Sequence, residues 1–492
     1  MSHPGQPPPT RVRSADLRRL RRGQTVSMFG DEVTGVALPT VALILLHATP
    51  FQFGLLAAST YLPYPVIGLT VGAWVDRTRR RRVLMLADAA RFAAIASIPG
   101  AAAVGGLSLT QLVVVGLVVG TGSVFFNSAY QAFLPSIVRP GEITTANAKL
   151  SVSETSAQVG GPPLAGILIG ALGAAGAMLV DAASYLVSIL TLSSIRRPEP
   201  SPDDGGSGPD RRSLTADVVD GLRLVFGDRL LRGLTLTSAL SNLGRGMALE
   251  LFLLFAYNGL GVSPGVAGFM LAAGNVGSLL GSLTCRRLTD RFGIGRILML
   301  SSILKGLPWL LAPLTLLGGA LPLIVAIMFA SSYFVPVSNV TTLSVRQSLV
   351  PRQLQGRVAA TTRTVTRTVV PLSAVLGGAL AQLGTALFGR QAGLAAVLAL
   401  GGLLWTSATI MLPRDRLRGV HDLDDLSVAT VRDRRPHHDR ARPRYMPHEP
   451  GTERPWDGDG GRLRYRERRW PQLDDDPDRA AAIRRWPADD TS

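Results

Sequence analysis

Cysteine is almost absent. Cys285 is the only one in 492 residues, which excludes an internal disulfide framework and a cysteine-ligated metal cluster within one chain. Lysine is nearly as scarce: Lys149 and Lys305 are the two exceptions among 51 basic residues, the rest being arginine. Neither lysine follows a glycine-rich phosphate-cradling run, so direct fuelling by ATP through such a loop is disfavoured. The six histidines (His3, His47, His421, His437, His438 and His448) all fall outside the cores of the apolar runs. A membrane-embedded enzyme needing a cluster of His, Asp or Glu for metal or acid-base work is therefore not supported. Charged residues make up only 17 % of the chain against 47 % hydrophobic ones, and the mean hydropathy is +0.26. That apolar content exceeds what a single soluble core requires.

Long apolar runs are what the sequence has in excess. A helix needs about 20 mostly apolar residues to cross roughly 30 Å of hydrocarbon. That ruler predicts twelve spans, near 23–46, 53–75, 83–104, 109–134, 146–170, 174–195, 232–256, 264–285, 296–317, 321–345, 358–387 and 391–412. The arginines ahead of the first run imitate a secretory leader, but the run contains Asp31 and Glu32 and is followed by further spans, so it reads as span 1. Span 11 has the weakest signal, because Arg363 and Arg367 fall within its first half.

The net charge of +17 would suggest nucleic acid, yet the arginines sit in short clusters between apolar runs. Arg18–Arg22, Arg77–Arg82, Arg139, Arg196–Arg197, Arg286–Arg291 and Arg352 alternate with loops near 47–52, 105–107, 170–173, 258–263 and 318–320 that carry no Lys or Arg. Only Arg390 breaks the pattern. By the positive-inside rule both termini are expected in the cytoplasm, as an even span number requires.

The expected organisation is an N-terminal cytoplasmic tail (1–17), a six-helix half (18–195), a cytoplasmic linker (196–230), a second six-helix half (231–412) and a disordered cytoplasmic tail (413–492). The linker is rich in Pro and Gly and then turns amphipathic from Leu214 to Phe226. The halves repeat one another. Gly54–Ala58 aligns with Gly268–Ala272, Asp76-Arg77 with Asp290-Arg291, and Arg82–Leu86 with Arg296–Leu300, all at a spacing of 214. Two six-span repeats in the same orientation are related by an axis along the membrane normal, which is a transporter architecture. The expected fold class is thus an all-α membrane protein of twelve transmembrane helices in two six-helix halves related by a pseudo-two-fold axis.

The run Gly72-Ala73-Trp74-Val75-Asp76-Arg77-Thr78-Arg79-Arg80-Arg81 resembles the signature between spans 2 and 3 of the major facilitator superfamily, departing at Arg79, where a Gly is usual. A second copy, Leu288 to Arg296, keeps that glycine as Gly293. Ser27–Asp31, Asp88–Arg91, Tyr130–Pro135, Ala146–Ala148 and Gly161–Gly166 are similar to the drug and siderophore exporter branch, which includes macrolide-efflux and enterobactin-export proteins. The resemblance implies that spans 1, 4, 7 and 10 line a central cavity. On that basis Asn127, Gln131, Asn242, Arg245, Tyr333 and Asn339 are candidate cavity residues, and Asp31, Glu32 and Glu250 are candidate proton-coupling groups. An intramembrane arginine found in span 4 of many proton-coupled exporters is missing between Gln111 and Phe133.

Charge inside a span is costly, so each such residue is a functional candidate. Asp31 lies eight residues after Gly23, roughly 12 Å into the bilayer, where a carboxyl group can load and release a proton or meet a cationic substrate. The competing reading of Asp31 and Glu32 is a plain hydrogen bond to a neighbouring helix. Glu250 is either a second titrating group or the partner of an arginine from another span. Asp88 and Arg91 are three apart on one helical face, which favours a structural pair, and they are grouped with the gating residues Gly72, Asp76, Arg77, Arg80, Arg81, Asp290 and Arg291. In the gating reading Asp76 and the arginines tie the halves together on the cytoplasmic side or hold anionic headgroups; the alternative is that they set topology only. Gly161, Pro162 and Gly166 make span 5 either a helix that bends during transport or one with a fixed kink.

The expected function is secondary active transport by alternating access, with export of an amphipathic small molecule in exchange for protons. An importer or uniporter of a small metabolite and a membrane scaffold acting through its tail are the rivals. No cofactor and no metal is expected. The expected partners are a small-molecule substrate, protons and anionic lipid, not nucleic acid, with a monomer in a bacterial plasma membrane.

Overall fold

The computed structural model describes residues 10–75, 77–138, 140–195, 214–318, 320–417 and 420. Within these residues the chain is helical and contains no strand. Lipid offers no hydrogen bonds, so a spanning segment must satisfy its backbone internally, as a helix does.

Ten helical stretches are long and apolar enough to cross a membrane; one of them is two spans, and two shorter helices carry a further one, which makes twelve. The stretch Ile143–Ser193 is two spans, broken at Gly173, whose φ of 75° and ψ of 165° lie outside the helical region and are open to glycine. Span 2 is carried by two shorter helices, Pro50–Tyr61 and Pro63–Val75. The remaining spans are 1 (Thr10–Thr40, ending in the π-helical turn Val41–Leu45), 3 (Arg80–Ala103), 4 (Leu109–Ile137) and 7 (Arg229–Leu249, continued to the π-helical turn Phe255–Gly259). They are followed by 8 (Pro264–Phe292), 9 (Ile294–Leu304 and a tighter 3₁₀ stretch Leu307–Leu317), 10 (Ala320–Leu349), 11 (Arg352–Phe388) and 12 (Arg390–Ser407).

The repeat seen in the sequence is a repeat of packing. In the first half span 1 packs on 5 and 6, span 4 on 2 and 3, and span 3 on 6; in the second half 7 packs on 11 and 12, 10 on 8 and 9, and 9 on 12. Adding six to each member of the first set gives the second. The two seams between the halves, 2 against 11 and 5 against 8, exchange under the same operation. Local irregularities repeat as well: the two π-helical turns start at Val41 and Val41's equivalent Phe255, again 214 residues apart. The turns on the face away from the termini carry positive φ at His47 and Gly261, at Gly105 and Gly318, and at Gly173 and Gly389, one of each pair in each half. The pseudo-two-fold relation is thereby present in side-chain spacing, helix pairing and turn conformation.

The boundaries at the two chain ends differ from the sequence expectation, and the amphipathic part of the linker is packed. Residues 10–17, read as tail, are the first turns of the span 1 helix, where Asp16 is fully buried and paired with Arg19 at 2.9 Å. The amphipathic part of the linker is the helix Leu214–Gly227; Val225 is buried with Leu231, Val350 and Val358, so its apolar face covers the start of span 11. The first residues of the C-terminal tail are packed: Arg414–Leu417 is helical, and Leu417 and Val420 are buried with Leu230, Leu234 and Leu298. Two apolar side chains so close to the last span bury themselves more cheaply than they stay in water. Residues 196–213 and 421–492 lie outside the described residues, as do Asp76 and Arg139.

The signature departure at Arg79 has a backbone cause. Gly293, in the second copy, precedes span 9 with φ 79°, which an L side chain rarely adopts. Arg79, its equivalent before span 3, has φ −69°, so arginine is accommodated and glycine is not required.

Candidate functional site

A cavity of about 890 Å³ lies between the halves, lined by spans 1 to 6 on one side and 7, 8 and 10 on the other. Contacts across the seams hold it shut on the face away from the termini. Gly54 meets the backbone of Ala374 and Gly378, and Gly166 meets that of Pro264 and Gly265, while Gly268 faces the carbonyl of Pro162. These are the same contacts made twice, because Pro50 corresponds to Pro264 and Gly54 to Gly268. Small residues permit helices to approach this closely. The hydroxyls of Thr40 and Tyr257 meet at 2.9 Å across the same face.

The first half contributes a cluster of charge built from spans 1, 3 and 6. Tyr185 donates to Asp31 Oδ1 at 2.6 Å, and Arg91 lies 3.9 Å from the same carboxylate. Arg91 is also bonded to Asp88, which is fully buried, and its guanidinium sits 4.6 Å from the ring centres of both Phe126 and Tyr185. A buried cation is sustained by paired carboxylates and by aromatic faces. Asp181, in span 6, accepts from Thr34 at 2.5 Å and Ser184 at 3.0 Å. Gly30 leaves the room for that pair, since a Cβ there would strike Asp181 and Ser184. Glu32 lines the cavity next door, and Gly161 of span 5 is small because the Glu32 side chain occupies the space its Cβ would need.

The second half answers with Arg245 and Glu250 on span 7, and Tyr61 of span 2 faces Glu250 across the gap. The cation beside Glu250 is Arg245 of its own span, and not an arginine from another span as one of the two sequence readings has it. Tyr64 joins the halves at the side: Asn127 donates to its hydroxyl at 3.3 Å and Arg367 of span 11 lies 5.0 Å from its ring centre. Asn275 of span 8 donates to the carbonyl of Gln158 in span 5. The two arginines that weakened the signal of span 11 thus face polar partners inside the protein: Arg367 stacks on Tyr64, and Arg363 lines a second cavity of about 490 Å³ within the second half.

Of the candidate cavity residues, Asp31, Glu32, Asn127, Arg245 and Glu250 line the central cavity. Asn242 and Asn339 line the second one instead, where Asn242 donates to the Thr366 carbonyl at 3.0 Å. Tyr333 and Gln131 line neither. Tyr333 is turned onto span 8, its hydroxyl 2.6 Å from that of Thr284, and Gln131 is exposed further along span 4. Residues one or two places apart on a helix point in very different directions, so membership of a cavity-lining span does not decide the matter.

The gating group is dispersed. Arg80 donates to the Ala132 carbonyl at 3.2 Å and Arg81 to that of Ser193, both in their own half, so these contacts close helix ends and do not tie the halves together. Arg77 is exposed, and a Cβ on Gly72 would meet open space. Asp290 pairs with Arg286 at 3.6 Å and Arg291 lies over Phe292, again locally. Asp88 and Arg91 belong to the cavity cluster, not to the gate. The helix continues through Gly161, Pro162 and Gly166 without a break; Pro162 and Gly166 form the seam with span 8, while Gly161 faces Glu32 of span 1. Sequence reasoning missed Asp181, Tyr185, Tyr61 and Lys305. The first had a signal: a carboxylate in the middle of an apolar run, like Asp31.

Two equivalent six-helix bundles around a polar cavity closed at one face define a multi-pass membrane transporter. Residues 12–429 match the family described as "Transmembrane secretion effector", a branch of the MFS transporters, and the chain belongs to that family, whose members are transporters and not enzymes. It is 30 % identical over 405 residues to the multidrug efflux pump Tap of Mycolicibacterium fortuitum, covering 79 % of this chain and 93 % of the relative. It is 24 % identical over 368 residues to the enterobactin exporter EntS of Escherichia coli O127:H6, covering 74 % and 84 % respectively. The fold matches the crystal structure of a bacterial homologue of the iron transporter ferroportin in an inward-facing state, with a TM-score of 0.62, 18 % identity and coverage of 80 % and 99 %.

Proposed function

We propose that the protein exports amphipathic small molecules across a bacterial plasma membrane in exchange for protons, as a monomer with both termini in the cytoplasm. The observation that carries this reading is the Asp31 carboxylate, 44 % exposed to the cavity yet held by Tyr185 and shared with Arg91 and Asp88. Arg91 has two carboxylates within reach, so neutralising Asp31 leaves the cation matched by Asp88 alone, and the charge cluster survives either protonation state of Asp31. A group that can change charge without unfolding its surroundings is what proton exchange requires. Similarity to Tap and EntS, named as a multidrug efflux pump and an enterobactin exporter, supports the export direction.

Alternation follows from the seams. The glycine contacts of spans 2 with 11 and 5 with 8 would separate as the halves rock, while the arginine-bearing ends approach one another. Arg77, Arg291 and Asp290, with Asp76 outside the described residues, are assigned to the closed state of that second face.

The test is transport in proteoliposomes with an imposed pH gradient, using a fluorescent cationic drug such as ethidium. Asp31→Asn is expected to abolish gradient-driven movement while leaving the protein folded and ethidium still bound. Intact movement in Asp31→Asn together with its loss in Glu250→Gln would transfer the coupling role to Glu250. Equal movement with and without the gradient would replace exchange by facilitated diffusion.

A further inference from the structure

The second cavity is chemically unlike the first. Arg245, Lys305, Arg346 and Arg363 line it, interleaved with hydroxyls and amides such as Ser338 and Asn339, and no carboxylate does among the described residues. Arg245 lines both cavities, so the basic chamber opens beside the central one. Lys305, in span 9, is only 6 % exposed, and its Nζ makes one hydrogen bond, to Ser338 Oγ at 3.1 Å. An ammonium group carries three N–H donors, so most of its capacity is unused. The Nε of Arg346 is buried without a partner. No ion pair within 4 Å reaches any of these cations among the described residues.

Burying cations within a membrane protein without a counter-charge is costly, and the usual remedies are a nearby carboxylate or water. The first half uses carboxylates, with Arg91 set between Asp88 and Asp31. In the second half Arg245 has Glu250 nearby, but Lys305, Arg346 and Arg363 have no carboxylate within 4 Å among the described residues. Pre-aimed donors with spare capacity, in a chamber of about 490 Å³ beside the transport cavity, make a receptor for an anion. We propose that this chamber docks the anionic group of the transported molecule, a carboxylate or phosphate-type group gripped by Lys305, Arg346 and Arg363. The cargo then includes amphipathic organic acids, and zwitterions whose positive end lies toward Asp31, alongside cations such as ethidium that engage the central cavity alone. This assignment rests on the exporter reading above.

The full chain in detergent micelles, titrated calorimetrically with 2-naphthoate and with the neutral 2-naphthamide of the same shape, provides the test. Naphthoate is expected to saturate and to bind about ten- to hundredfold more tightly than the amide, the range for a charge-assisted hydrogen bond. Arg363→Gln and Lys305→Met should each erase that preference, and Lys305→Arg should retain it. Arg363 is exposed to the chamber, so its substitution reports even where Lys305→Met fails to fold. Equal affinity for the two probes, or a preference that survives both substitutions, would overturn the proposal. In nanodiscs, phosphatidylglycerol retained by the wild type in native mass spectra, lost in Lys305→Met and blocking naphthoate, would overturn the cargo assignment in favour of a lipid headgroup. Ethidium efflux is measured in parallel: efflux without naphthoate preference refutes the chamber alone, whereas absence of all transport refutes the exporter reading.

Discussion

Because the cavity is shut at one face by backbone-to-backbone contact at glycines, a single methyl group should shift the resting conformation. A Cβ on Gly54 would strike the Ala374 carbonyl and Gly378, and one on Gly268 would strike the Pro162 carbonyl. Backbone cannot swing aside as a side-chain end can, so the clash must be relieved by parting the halves. Overpacking of this kind costs about 1–3 kcal/mol. If the state open at the opposite face does not make the contact, that cost becomes a shift of about five- to 140-fold in the ratio of the two states. The sole native cysteine, Cys285, is buried and is removed as Cys285→Ser, and Ser123→Cys in the central cavity then reports access. A membrane-impermeant maleimide is applied to each face of oriented vesicles. Gly54→Ala and Gly268→Ala should both raise labelling from the face away from the termini, by similar factors, because the two-fold axis makes them the same perturbation; leucine should exaggerate the effect. Unchanged labelling in both variants, or opposite shifts, would refute the reasoning.

Other expectations follow from the charge cluster and the chain ends. Arg91→Met strands the buried carboxylate of Asp88 and should destabilise the fold by about 3–5 kcal/mol in mixed-micelle unfolding, and Asp88→Asn should recover part of the loss, giving a coupling energy well above 0.5 kcal/mol. Additive effects would show that the two residues do not act as a pair. Tyr185→Phe removes one hydrogen bond to Asp31 while keeping the ring face over Arg91, and should cost about 0.5–1.5 kcal/mol in the same assay without abolishing ethidium binding. Truncation after residue 420 should leave thermal stability unchanged, whereas truncation after residue 412 removes buried Leu417 and Val420 and should lower stability by about 1.5–3 kcal/mol for each. Equal stability of the two truncated chains would show that the packed segment contributes nothing.

The central cluster was half legible. Asp31 and Glu32 announced themselves as carboxylates in an apolar run, and Asp88 with Arg91 as a pair three residues apart. What could not be read was that the pair and Asp31 belong to one site, because spans 1, 3 and 6 meet only through packing. Asp181 carries the same signal as Asp31, a carboxylate in an apolar run, and it holds span 6 to Thr34 of span 1. Arg363 and Arg367 looked like defects of span 11 and proved to be inward-facing groups, since hydropathy counts charges without regard to the side of the helix they occupy.

Hydrocarbon thickness supplies a length scale and the absence of water forces helices, so the sequence by itself determined the number of spans, their alternating charge and the duplication into two halves. Tertiary structure alone decided which side of each helix looks into a cavity, that the seams close through matched glycines on one face, and that the polar interior is split into an acidic site with a shared arginine and a basic chamber lined by no carboxylate among the described residues. The reason is rotational: neighbouring residues on a helix differ by about 100° in direction, and only contact with the other helices fixes where that circle begins.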